Sequence, residues 1–198
     1  KNIWWGKVNI SFTIDDYNRL YSKMMAYIQG KDLYVEDCFA CADPNYKLYL
    51  RIVTETAWHN LFARNMFRWY DSRDELLKHK PDFSVIHMPN FHANQEYDKT
   101  ISEVFVVVNF AKMIVLIGGS SYAGKIKKMV FTIESYLMPP SVFCMRCSAN
   151  MGKGGDVAIF LGREETGNTN LAVDPERKLI GEPIQGGSEK ALKKLESG

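Results

Sequence analysis

The chain has 198 residues, 46% hydrophobic and 24% charged, a balance that suits one large globular domain or a domain with part of another. The formal net charge is +2 with both signs mixed along the chain, which argues against a nucleic-acid-binding or polybasic membrane role. No apolar run approaches the ~20 residues of a membrane helix. The start, Lys1 to Gly6, lacks the apolar stretch and cleavage pattern of a signal peptide, so a cytoplasmic location is expected. Lys1 in place of a starting Met is what a chain beginning inside a longer protein would show.

In chain order, residues 15–29 predict a helix, with Thr13 or Asp15 as cap and an apolar stripe of Tyr17, Leu20, Tyr21, Met24, Met25 and Ile28; Gly30 stops it. A strand follows at 33–37 and a turn at Asp43-Pro44-Asn45-Tyr46. Residues 47–54 alternate as a strand, with Leu48, Leu50 and Ile52 on one face. Residues 56–69 read as helix or mixed structure and 72–79 as a short helix capped by Ser72. Residues 82–87 predict a strand, 88–98 a loop, and 104–109 with 113–117 a hairpin. A helix at 122–136 begins in a Gly/Ser turn, and strands follow at 142–147 and 156–161. From Gly162 onward the chain is polar; 189–195 has helical spacing but few apolar anchors, behind the linker-like Gly186-Gly187-Ser188. There are no internal repeats. Strands alternating with helices predict an α/β fold with a mixed β-sheet flanked by helices.

Three features could carry chemistry. In Gly118-Gly119-Ser120-Ser121-Tyr122-Ala123-Gly124-Lys125 a strand ends in two glycines and a helix begins, a geometry that lets backbone N–H groups meet an anion. Lys125, Lys127 and Lys128 crowd the first turns of that helix, where cations oppose the helix dipole. Such a local conflict marks either a functional site or a solvated lysine face. Next, Gly162 to Thr169 has the spacing of a phosphate-binding loop after a strand, but Asn168 stands where the lysine belongs, and Glu164 and Glu165 place negative charge where phosphates would lie. Finally, four cysteines form two C-x-x-C pairs, Cys38/Cys41 and Cys144/Cys147. A four-thiolate zinc site is one reading. The distance between the pairs, and the opposite facing of residues three apart on a strand, favour structural cysteines instead. His59, His79, His87 and His92 lack a metal-ligand spacing, and the Asn9 glycosylation pattern carries no weight without a secretion signal.

These pieces occur in a familiar order. Trp5-Gly-Lys-Val-Asn, Asp37-Cys-Phe-Ala, Ala42-Asp-Pro-Asn-Tyr, Arg51-Ile-Val-Thr-Glu, Ala57 to Phe67, Tyr122-Ala-Gly-x-Ile-Lys-Lys128, Cys147-Ser-Ala-Asn150, Gly155-Asp-Val-Ala and Asp174-Pro175 resemble ATP-dependent phosphoenolpyruvate carboxykinase from about Trp4 to Gly181. The resemblance implies a substrate domain over 1–140, an incomplete nucleotide-domain segment with a degenerate P-loop over 141–185, and a tail or linker over 186–198. It also implies a family reaction, oxaloacetate and ATP to phosphoenolpyruvate, carbon dioxide and ADP, with Mg²⁺ and Mn²⁺. Tyr122 and Lys128 match the family's substrate-pocket tyrosine and metal-binding lysine, and Lys127 matches its adjacent lysine. Gly162, Thr166, Gly167 and Thr169 match the P-loop.

The departures are chemical. Lys125 replaces a glutamate, Arg146 replaces a histidine metal ligand, Pro183 replaces an aspartate metal ligand, and Asn168 replaces the P-loop lysine. Of the protein metal ligands only Lys128 remains, and a lysine alone cannot hold the cation. By the same resemblance the chain starts after the family's substrate-binding arginine segment and ends before most of the nucleotide domain. The expectation is a catalytically inactive relative that binds no cofactor tightly and keeps a weak site for oxaloacetate or another small dicarboxylate. The alternatives are an interaction or scaffold module, self-associating or binding a partner through the face left by the missing domain, and an enzyme completed by another chain.

Overall fold

The computed structural model describes residues 3–162, 167–181, 185–188 and 191–194, the last two stretches through their backbone. A five-stranded sheet forms the centre, from β1 (Tyr34–Ala40), β2 (Leu48–Thr54), β3 (Phe83–Met88), β4 (Phe105–Asn109) and β5 (Ile114–Gly118), in the order β1-β2-β3-β5-β4. The inner strands β2, β3 and β5 run parallel, while β1 and β4 pair antiparallel at the two edges. This is the mixed sheet expected from the alternating strands and helices.

Both faces of the sheet are covered. On one, Leu50, Ile52, Phe83, Val85, Val115 and Ile117 pack with Ala63 and Phe67 of the α2 region (Ala57–Met66) and with Ile126, Val130 and Ile133 of α5 (Gly124–Leu137). On the other, Ile86, Met88, Phe105 and Leu116 pack against Tyr17, Leu20 and Met24 of α1 (Ile14–Tyr27). Neighbouring residues Val85 and Ile86 point to opposite faces and are both buried, the pattern of a parallel strand with helices on each side. Each large apolar side chain fully buried this way contributes about 1.5–3 kcal/mol.

Capping fixes the helix starts. The Thr13 hydroxyl oxygen accepts from the Asp16 amide at 3.1 Å, and Ser72 accepts from the Glu75 amide at 3.2 Å ahead of α3 (Arg73–Leu77). The stretch 88–98, expected as loop, contains a single helical turn, α4 (Gln95–Asp98), because Asn94 Oδ1 accepts from both Glu96 and Tyr97. The buried Asp98 ties this turn to the Asn94 amide at 2.7 Å and to Lys23 of α1 at 2.6 Å.

The region 142–147 is not one strand. It divides at Arg146 into β6 (Phe143–Met145) and β7 (Cys147–Met151), which enter different sheets. β7 lies between β8 (Val157–Leu161) and β9 (Lys178–Gly181), with α6 (Asn168–Ala172) between β8 and β9 in the chain. β6 pairs with β10 (Gln185–Ser188), which pairs with β11 (Ala191–Lys194). The backbone at 191–194 is therefore extended, not helical: strand pairing overrides the helix preference of Ala-Leu-Lys-Lys. Of the stretch 186–198, expected as tail or linker, residues 186–188 and 191–194 lie in this pairing.

Candidate functional site

The glycine-serine turn after β5 is built by close packing. A Cβ at Gly118 would lie 2.5 Å from Cζ of Phe105 and 2.7 Å from the Phe91 carbonyl oxygen, so only glycine fits there. Gly119 adopts φ +70°, and a Cβ on it would also meet the Glu103 carbonyl oxygen at 2.8 Å. The chain then turns through Ser120 and Ser121, whose carbonyls are held from below by two histidines. His87 Nε2 lies 2.8 Å from the Ser120 oxygen and His59 Nε2 lies 3.0 Å from the Ser121 oxygen. A carbonyl only accepts, so both Nε2 atoms carry the proton. Thr56 Oγ1 lies 2.5 Å from His59 Nδ1 and supplies the matching donor. The rings meet edge to face with centroids 4.4 Å apart. Burial pulls the His87 pKa down from 6.5 to about 4, which keeps the ring neutral.

Beyond this brace, Tyr122 folds over the start of α5. A Cβ at Gly124 would stand 2.5 Å from Cζ and 2.6 Å from the hydroxyl of Tyr122, so the glycine makes room for the ring. Lys128 Nζ sits 5.3 Å from the Tyr122 ring centroid, a cation–π contact one turn along the helix. Tyr122 and Lys128 are exposed, while Lys125 and Lys127 are half-buried. Ala123 gives α5 no side-chain cap; the Lys125 and Ile126 amides donate instead to the Tyr122 and Ala123 carbonyls at 3.2 and 3.0 Å. Tyr122, Lys125, Lys127 and Lys128 thus lie on one turn-and-helix unit, with Lys128 against the Tyr122 ring. The two histidines that hold it did not stand out in the sequence.

Gly162 is exposed, and Gly167 has φ +83° and leads into α6, where Asn168 and Thr169 are half-buried. Thr166, Glu164 and Glu165 lie outside the described residues, as does Pro183. Arg146 is exposed at the junction of β6 and β7. Around β7, Asn150 is a structural hub. Its Nδ2 donates to the Ala172 carbonyl at 2.9 Å and its Oδ1 accepts from Arg177 at 2.7 Å. Arg177 also pairs with Asp156 at 2.7 Å. Three family-like segments, around Asn150, Asp156 and Asp174, are thereby stitched together by Arg177, a residue no motif had singled out.

The other candidates resolve locally. The His79 side chain is buried, with Nδ1 2.7 Å from the Tyr70 hydroxyl and Nε2 3.5 Å from Asp37, which itself holds Arg51 through two 2.7 Å hydrogen bonds. His92 is exposed near Glu103. The C-x-x-C pairs come apart: Cys38 is buried in the main core, Cys41 turns out of it, and Cys144 and Cys147 lie in different sheets. Among the described residues no group of three or more His, Cys, Asp or Glu is placed to hold a metal ion, so the zinc reading has no assembled site. Nor is any described helix long and apolar enough to cross a membrane.

The family model described as phosphoenolpyruvate carboxykinase matches residues 1–198. Phosphoenolpyruvate carboxykinase (ATP) of Geotalea uraniireducens is 50% identical over 199 residues, covering 100% of this chain and 37% of that protein. The protein of the same name from Thermus thermophilus is 49% identical, covering 99% of this chain and 38% of that protein. That from Flavobacterium johnsoniae is 46% identical over 93% of this chain. The chain spans little more than a third of the length of these relatives. With the match running through both the five-stranded sheet and the β7–β9 unit, the chain belongs to the phosphoenolpyruvate carboxykinase family.

Proposed function

We propose that this chain is a catalytically inactive relative of a lyase of gluconeogenesis, one that keeps a weak site for oxaloacetate or a similar dicarboxylate at Tyr122, Lys127 and Lys128. The observation that carries the reading is the braced turn: His59 and His87 hold the Ser120 and Ser121 carbonyls, and so fix Tyr122 beside the lysine-bearing start of α5. Lysine ammonium groups are donors of the kind a carboxylate needs.

The metal and nucleotide do not fit. The positions matching the metal ligands carry Lys128, Arg146 and Pro183. An arginine is a donor only and a proline side chain offers no ligand atom, so no set of lone pairs remains to hold Mn²⁺. At the phosphate loop Asn168 brings no charge, and Glu164 and Glu165 repel phosphates. Phosphoryl transfer depends on positioning and charge stabilisation, and losing these groups costs several orders of magnitude in rate on the scale of ~10²–10³ for each stabilising group. No step through ATP or metal is therefore assigned to this chain.

A second reading, association with another copy or a protein partner, rests on β8. This edge strand exposes Val157, Ile159 and Leu161 along one face, with no charged residue between them. Calorimetric titration with oxaloacetate, in parent and Lys128→Ala protein, tests the first reading. Binding that weakens in the variant is expected; identical behaviour of the two proteins refutes it. A mass above that of one chain in sedimentation supports the second reading instead.

A further inference from the structure

The four cysteines are spaced as two C-x-x-C pairs, yet the fold builds a different pair. Cys38 points into the core between the central sheet and α2 and α5. Three residues on, Cys41 takes the left-handed conformation, φ +72°, uncommon for a residue with a side chain. That turn carries its buried thiol away from Cys38 into a separate small cluster with Tyr46, Phe131, Met138 and Cys144. Cys144, on β6, packs against Cys41 and is half-buried, and its thiol is hydrogen-bonded to the Ser135 side chain of α5. Cys147, beyond the junction at Arg146, is buried in β7 of the other small sheet. All four are free thiols.

We propose that Cys41 and Cys144 are a disulfide-forming pair, closed by a small-molecule disulfide, while Cys38 and Cys147 stay reduced. Cys144 is the entry thiol because it is the more exposed. Its thiolate attacks one sulfur of the small disulfide and displaces the first thiolate. The Cys41 thiol then gives up its proton and attacks the Cys144 sulfur, displacing the second. Two protein thiols are oxidised, one small disulfide is reduced to two thiols, and the two protein protons end on those thiols. Burial raises the pKa of both sulfurs, with Glu134 adding to the effect, so the exchange is slow and the pair is distinct from a fast redox motif. Once closed, the bond spans about 100 residues of chain, the long-loop case in which a disulfide most restricts the unfolded chain. It ties the end of β1 in the central sheet to β6 in the β6–β10–β11 sheet.

The test uses the whole chain incubated with excess glutathione disulfide. Intact mass, peptide mapping and thiol titration after unfolding are then compared with the reduced protein. The expected product has lost two hydrogens, shows Cys41 and Cys144 in one linked peptide pair, and retains two titratable thiols. Cys38→Ser and Cys147→Ser still form the link, and Cys144→Ser forms none. The oxidised chain has a higher guanidinium midpoint than the reduced one. A link within either C-x-x-C pair, a link between chains, or four thiols surviving in a folded chain overturns the proposal. The Cys38 and Cys147 variants and the peptide map decide the matter even if Cys144→Ser fails to fold.

Discussion

Gly118→Ala is the sharpest probe of how the central sheet shapes the turn. The added methyl would sit 2.5 Å from Cζ of Phe105 and 2.7 Å from the carbonyl oxygen of Phe91. Carbon pairs rest at about 3.5–4.0 Å, so the ring must retreat by about 1 Å. Phe105 is buried and stacked edge-on against Phe91 at 5.9 Å, so the ring has little space to move into, and the carbonyl belongs to the backbone. Overpacking of this kind costs about 1–3 kcal/mol, and the fixed carbonyl places Gly118→Ala at the upper end. Guanidinium denaturation followed by circular dichroism measures the cost as a fall in midpoint at constant slope. In a Phe105→Leu background the penalty of the same substitution falls, because the ring is gone, but persists, because the carbonyl remains. A Gly118→Ala protein within ~0.5 kcal/mol of its parent would refute the packing argument.

Gly124→Ala should behave differently: its obstacle is the far end of the exposed Tyr122 side chain, so stability changes by less than ~1 kcal/mol while the ring leaves Lys128, seen as a shift of the Tyr122 ring signals in NMR. Stability should fall as pH drops from 6.5 to about 4, because the unfolded chain protonates His87 in that window and the folded chain does not. The full effect is about 3 kcal/mol, and denaturation curves of His87→Gln should show a flatter pH dependence. Asp98→Ala strands the Asn94 amide and Lys23→Ala leaves the buried Asp98 carboxylate without its cation, so each should cost about 1–3 kcal/mol by the same assay.

Much of the scaffold was legible because its signals are local. The stripe from Tyr17 to Ile28 predicted α1, the alternation of Leu48, Leu50 and Ile52 predicted β2, and Thr13 and Ser72 marked helix starts. What depends on distant contacts was not. The single turn of α4 exists because Asn94 and Asp98 cap and anchor it, not because four residues carry a helical period. Residues 191–194 have the composition of a helix and the pairing of a strand. The division at Arg146 is invisible to alternation, since the residues on either side both suit strands and only the sheet assignment separates them. The lysine-rich turn was found through its glycines and its conflict with the helix dipole, but its support was not. His59 and His87 lie far apart in sequence and meet only when β3 and α2 are set beside the Ser120–Ser121 turn. A polar His87 ending the apolar run Val85-Ile86 was the one available sign. The C-x-x-C spacing pointed to partners that the backbone at Cys41 separates.

The most direct test of the proposed inactivity is calorimetric titration of the whole chain with ATP in the presence of Mn²⁺. On the proposed reading, in which Asn168 stands where a phosphate-loop lysine belongs and Arg146 and Pro183 stand at metal-ligand positions, no saturable heat is expected. Saturable binding at micromolar affinity would contradict the proposed loss of the nucleotide and metal sites.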